Sequence, residues 1–167
     1  MSERHAGFTG VVGIERVFAR EGRSEVRLAI TPDLLNPLGI VHGGVIAALA
    51  DEAIGLAAYS LLPPGAACVT AELHLHFLLP ARQGLLVARG TIWRCGRRLV
   101  TGEAVVEAEQ APATPARQAA PPQGEGGPPP TGYLDGQAGA TGSPPPRMVV
   151  ARADGTWAVV TPAVPLP

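Results

Sequence analysis

The sequence predicts an α+β domain in which an antiparallel β-sheet wraps around one long central α-helix. Three observations carry that expectation. One long Ala- and Leu-rich stretch, Gly43–Leu62, reads as a helix and stops at Pro63-Pro64-Gly65. Strand-like segments stand on both sides of it, the clearest alternating in character over Ala67–Phe77. The order of elements is two strands, the helix, three strands and a closing strand, so one helix serves five or six strands.

Val11–Phe18 and Ser24–Ile30 read as the first two strands, and Ala19–Arg23 between them as a hairpin turn with Gly22 available for positive φ. Residues 31–39, TPDLLNPLG, hold two prolines and read as a loop. The helix that follows is apolar nearly all round, which predicts a buried central position. Its alanines and Gly55 leave room for other backbone to come close. In Ala67–Phe77 the alternation puts Ala71, Leu73, Leu75 and Phe77 on one face and Thr70, Glu72, His74 and His76 on the other. Leu85–Trp93 and Leu99–Glu107 read as two strands joined by the Gly-centred turn Arg94–Arg98. The last strand-like segment, residues 149–160 (VVARADGTWAVV), has a hairpin-like Asp-Gly at its centre.

Composition limits the function. The 167 residues suit one domain, or one domain with a large insertion. A net charge of −1 and a pI near 6.4 give no basic surplus for nucleic acid or an anionic membrane. All 13 basic residues are Arg, which excludes a lysine Schiff base and a P-loop lysine. Cys68 and Cys95 make neither a disulfide framework nor a zinc site. His74 and His76 share a strand face with Glu72, but no third ligand has convincing spacing, so no metal is expected. No cofactor is expected either. The periodic region runs over residues 1–110. Residues 111–146 hold 10 Pro and 7 Gly in 36 positions and read as a disordered insertion. Residues 147–167 regain strand character and end in a tail. The N-terminus is polar, and the apolar run Val45–Leu62 is broken by Asp51-Glu52, so neither a signal peptide nor a membrane span is expected and the cytosol is the default compartment.

The chemistry concentrates in Asn36-Pro-Leu-Gly-Ile-Val-His42-Gly43-Gly44 and in Asp51. Glycines entering a helix let a ligand approach the backbone. The first amides of that helix lack internal partners, so with the helix dipole they favour an anion or a developing oxyanion. Asn36 and His42 flank this mouth. Asp51 is a carboxylate inside an apolar helix, where burial favours a basic, proton-accepting group.

With these residues in hand, NPLGIVHGGVIAALADEAIG resembles the signature of the PaaI-type hotdog thioesterases, which hydrolyse acyl-CoA. Asn is followed six residues later by His-Gly-Gly, and an acidic residue stands nine after the His. VTAELHLHFLLPA, a Gly-Arg turn and VVARADGTWAV follow in family order. Leu79 departs from the pattern, standing where an Arg before the Pro is common, and the insertion replaces a short turn. The resemblance implies a hotdog fold and hydrolysis of acyl-CoA, including aromatic acyl groups of the phenylacetyl type. It implies Asp51 as general base or nucleophile, the Gly43 amide as oxyanion donor with Gly44 beside it, Asn36 and His42 at the carbonyl, and Thr70 orienting the water. It also implies Arg94, Arg97 and Arg98 as contacts for the CoA phosphates, and a homodimer associating to a homotetramer. A non-catalytic acyl-CoA-binding protein and a hotdog dehydratase are the alternatives.

Spacing independently asks for two subunits. Gly43 and Asp51 are eight residues apart, about 12 Å along one helix. The attacking water and the oxyanion must lie around one carbon. Two antiparallel helices related by a two-fold axis can bring Asp51 of one to Gly43 of the other.

Overall fold

The computed structural model describes residues 7–109 and 147–160. The expected insertion and C-terminal tail lie outside the described residues, apart from the strand that follows the insertion. The described chain is an antiparallel six-stranded sheet around one long helix, the hotdog arrangement. Its elements are a short helix α1 (Phe8–Val12), β1 (Glu15–Arg20), β2 (Arg23–Ala29), a 3-10 turn at Pro32–Leu34, the long helix α2 (Gly43–Tyr59), β3 (Ala67–Phe77), β4 (Leu85–Cys95), β5 (Leu99–Glu109) and β6 (Arg147–Val160). The strand order is β1-β2-β4-β5-β6-β3.

Three expectations about the elements need correction. The first strand begins at Glu15, because residues 8–12 form one helical turn that Gly13 ends at φ 87°, in the left-handed region that glycine enters freely. Helix α2 stops at Tyr59, and Leu61 and Leu62 lie in the turn beyond it. The closing segment is one continuous strand and not a hairpin. Its Asp154-Gly155 stays extended, and a Cβ at Gly155 would lie 2.4 Å from the Glu72 carbonyl oxygen, so glycine here serves close strand contact and not a turn. The hairpin between β1 and β2 is as expected: Arg20 pairs with Arg23, and Glu21 and Gly22 both take positive φ, the pattern of a two-residue type I′ turn.

The core lies between the concave face of the sheet and one side of α2. Ile46, Leu49, Ala50, Ala53, Ile54 and Ala58 are buried there against Val26, Leu28, Leu86, Ala88, Val100, Ala104 and Trp157. The approach is closest at β4, where a Cβ on Gly90 would lie 2.4 Å from the Ala53 carbonyl oxygen. The buried Ser24 hydroxyl donates to that same carbonyl at 2.5 Å, fixing the helix over β2 and β4. The other side of α2 is only half covered: Gly44 is exposed, Asp51, Glu52, Gly55 and Leu56 are half-buried, and Tyr59 is exposed. The helix is thus not buried all round, and its apolar composition leaves an open face.

Among the described residues edge strand β3 pairs only with β6. Most of its side chains are exposed, including Val69 and Phe77.

Candidate active site

The open face of α2 and the start of β3 enclose a cavity of about 410 Å³ lined by Asp51, Glu52, Gly55, Leu56, Tyr59, Cys68, Val69, Thr70 and Trp157. Thr70 donates its hydroxyl proton to Asp51 Oδ1 at 2.7 Å. Unbroken alternation would put Thr70 on the same face as Glu72, His74 and His76. The register shift between Thr70 and Glu72 overturns that placement. Thr70 faces Trp157 and Glu72 faces Thr156, with Ala71 as the extra residue of a β-bulge. Thr70 therefore shares the helix-facing side with Trp157, while Glu72 and His74 pair with each other on the outer face, 2.8 Å apart. The hydrogen bond to Glu72, then its charge, raises the His74 pKa. No metal-binding group of three His, Cys, Asp or Glu side chains occurs among the described residues.

Asp51 is half-buried, so the burial expected from the helix's composition is incomplete within one chain. Cys68 stands beside it, with its thiol 3.8 Å from the Gly55 carbonyl oxygen. Burial pushes the Cys68 pKa up, and the charges of Asp51 and Cys95 push it further. A thiol so held keeps its proton and serves as a cavity wall, not a nucleophile.

The second centre is the N-terminus of α2. His42 is its N-cap, and His42 Nδ1 accepts from the Gly44 amide at 3.0 Å. In the neutral ring the proton is then on Nε2, which remains free to donate outward. Among the described residues the Gly43 amide donates to no acceptor. A Cβ at Gly43 would lie 3.2 Å from the Phe77 ring, so β3 closes one side of this mouth. Asn36 Oδ1 accepts from the Leu38 and Ile40 amides at 2.9 and 3.3 Å. Its oxygen is thus committed to shaping the loop, and its NH2 is the end left to meet a ligand. Arg82 braces that loop through the Leu38 and Gly39 carbonyls. Arg82 was not singled out from the sequence, where nothing marks it apart from other surface arginines.

Arg94, Arg97 and Arg98 are exposed around the β4–β5 turn and make no ion pair among the described residues. Val159 donates to the Arg98 carbonyl and pairs with Cys68 on its other side. The turn therefore lies at the same end of the sheet as the cavity's Cys68 wall. Within one chain, the structure joins Asp51 to Thr70 and His42 to Gly43 and Gly44, but leaves the two groups half a helix apart. The sequence reading missed Trp157, Tyr59 and Val69 as cavity walls. An aromatic in a closing strand was a signal for Trp157, obscured by the turn-like Asp-Gly before it.

The family model of the thioesterase superfamily matches residues 38–113. A relative from Halobacterium salinarum named as an esterase is 37% identical over 116 residues, 65% of this chain and 76% of the relative. One from Deinococcus radiodurans, also named as an esterase, is 41% identical over 95 residues, 56% of this chain, and the chain spans only 62% of its length. A Bacillus halodurans protein solved with CoA has a TM-score of 0.65 and 28% identity, covering 94% of this chain and 78% of that one. No helix among the described residues is long and apolar enough to cross a membrane.

Proposed function

This chain belongs to the thioesterase superfamily, as its PaaI-type residues 36–55 led one to expect, and from that premise we propose that it hydrolyses acyl-CoA thioesters to a free acid and CoA. The observation that carries the reading is the Asp51 carboxylate, anchored through Oδ1 by Thr70 in an open cavity. Oδ2 is left to take a proton from water or to attack the thioester carbon itself. As base, Asp51 accepts the water proton while the hydroxide adds to the carbonyl carbon. The negative charge passes to the carbonyl oxygen, the C–S bond breaks, and the CoA thiolate leaves and is protonated. As nucleophile, Asp51 forms a mixed anhydride that water then opens. In both routes the Gly43 amide, reinforced by the helix dipole, is the oxyanion donor, with His42 Nε2–H and the Asn36 NH2 beside it.

The two ends of this machinery meet across a two-fold axis. About 12 Å separate Gly43 from Asp51 on one helix, and edge strand β3, 11 residues long and paired on one side only, offers a ladder for a second copy. Pairing of two β3 strands gives a dimer in which Asp51 of one subunit serves Gly43 of the other. A tetramer of two such dimers rests on the resemblance. Arg94, Arg97 and Arg98 supply positive charge for the CoA phosphates. The aromatic and aliphatic walls Tyr59, Trp157, Leu56 and Val69 suit aromatic acyl groups of the phenylacetyl type. Two free cysteines, one exposed, fit the cytosol.

A thiol-release assay over aromatic and aliphatic acyl-CoAs tests the proposal. Turnover of at least one acyl-CoA is expected. Tight binding with no release of thiol across the panel would sink it and leave an acyl-CoA-binding protein.

A further inference from the structure

Trp157 is the largest fully buried side chain of the fold, 2% exposed, yet its indole N–H has no acceptor among the described residues. No fully buried side-chain nitrogen or oxygen of the described residues lacks a partner, so the little surface that Trp157 keeps includes Nε1. That surface opens into the cavity that also holds Asp51 and Thr70. A Cβ placed on Gly55 would lie 3.7 Å from Nε1. A longer polar or branched side chain at position 55 would stand over the N–H, so the glycine keeps it open. The remaining walls are Glu52, Leu56, Tyr59, Cys68 and Val69. Cys68 keeps its thiol proton and is directed at the Gly55 carbonyl. An oriented donor set beside apolar walls is how a site reads a single polar atom on its ligand.

We propose that Trp157 Nε1–H is a specificity-determining donor that selects acyl groups bearing an acceptor oxygen, a hydroxyl or a keto group, on the part of the acyl chain or ring that reaches it. The inference deepens the acyl-CoA hydrolase reading and rests on it for the identity of the CoA thioester. The physical reason is an asymmetry. An apolar acyl group strips water from the N–H and returns nothing, whereas an oxygenated one replaces the lost hydrogen bond. Trp157 faces Thr70 across the β3–β6 ladder, so the donor is held in register with the group that holds Asp51.

The test uses the full chain and matched pairs: phenylacetyl-CoA against its ortho-, meta- and para-hydroxy forms, and octanoyl-CoA against hydroxy- and keto-octanoyl-CoA. At least one oxygenated member is expected to exceed its plain partner about 10-fold in kcat/KM. Trp157→Phe and Gly55→Ser should each bring that ratio to about one. The first removes the donor, and the second gives it an internal hydroxyl to bond. Because Trp157→Phe also trims the core, Gly55→Ser keeps the test readable should the former fail to fold. Affinities are read in parallel from Trp157 fluorescence in Trp93→Phe protein carrying Asp51→Asn. A binding preference for the oxygenated members there supports the donor even if no acyl-CoA is hydrolysed, so failure of the hydrolase reading is told apart. Ratios near one for every pair in the parent protein, or a preference that survives Gly55→Ser, would overturn the inference.

Discussion

The Thr70 hydroxyl lies 2.7 Å from Asp51 Oδ1 because one extra residue, Ala71, bulges from β3 and turns Thr70 toward the helix. The bond holds one carboxylate oxygen still and leaves the other free. Thr70→Val keeps the shape and removes the donor. A hydrogen bond to a charged group is worth about 1.5–3 kcal/mol, so kcat is expected to fall roughly 10- to 100-fold. Thr70 is exposed, so the melting temperature should stay within about 2 °C. A stability loss with undiminished kcat would make the bond structural.

Asp51→Asn separates chemistry from architecture more sharply. Asn is nearly isosteric, can still accept from Thr70, and cannot take a proton or attack as an anion. A positioned acid–base group supplies about 10²–10⁴-fold in rate, and kcat should drop by that order with oligomeric state and melting temperature unchanged. Activity that falls only in step with the folded fraction would remove Asp51 from the reaction.

Gly43 faces the Phe77 ring, which a Cβ would meet at 3.2 Å. Phe77 is exposed and has room to shift by a few tenths of an ångström. Gly43→Ala should therefore fold normally and lose about 10-fold in kcat as the thioester is held away from the amide. Gly43→Val should lose more, roughly the 10²–10³-fold typical of a lost oxyanion donor. Parent-like turnover by Gly43→Val would exclude the amide from that role.

Much of this was legible because periodicity and helix punctuation are local signals. The prolines after Leu62 and the glycines after His42 bound α2 to within a turn. The bounds of β3, Ala67–Phe77, match the alternating segment residue for residue. What escaped depended on partners distant in sequence. Ala71 is an ordinary strand residue, and its bulge exists only in register with Trp157 and Thr156. Asp154-Gly155 looks like a turn until Glu72 crowds the glycine from the next strand. Asn36 is a local case: its side-chain oxygen is used by the Leu38 and Ile40 amides, and its NH2 is left toward the mouth. The candidate site splits in the same way: its residues were nameable, but the distance between its halves is set by the helix.

On the outer face of the sheet, Glu25 of β2 accepts from Arg27 and Arg89, and Arg89 also reaches Glu107 of β5. Burial pushes the Glu25 carboxyl up, but the Arg27 hydrogen bond and the Arg89 and Arg27 charges outweigh it, so its pKa is lowered. A carboxylate lowered in the folded state binds its proton more readily when unfolded. Its contribution is complete above the unfolded pKa and is lost as pH falls through the folded one. The melting temperature should decline through the acidic carboxylate range, and Glu25→Gln should flatten part of that slope. At neutral pH the same variant should cost about 1–3 kcal/mol, since the arginines lose their acceptor. An unchanged acid limb in Glu25→Gln would assign the slope to other carboxylates.

Glu109 and Arg147 face each other across the β5–β6 ladder and form an ion pair at 2.7 Å. The two strands thus end side by side, and the connection between them need span only about 5 Å. A hairpin turn does this in a few residues, whereas the chain uses positions 110–146. Closing a loop costs more entropy as it lengthens, about 0.6 kcal/mol per doubling. Replacing residues 111–146 with a four-residue Gly-containing turn shortens the loop by about three doublings and should stabilise the fold by up to about 2 kcal/mol, read as a rise of a few degrees in melting temperature. Turnover of the preferred acyl-CoA should persist within about 3-fold, because the bonds that hold Asp51 to Thr70 and His42 to Gly44 are made between described residues. A fall in melting temperature with a change of oligomeric state would show instead that the long connection contributes contacts beyond joining Glu109 to Arg147.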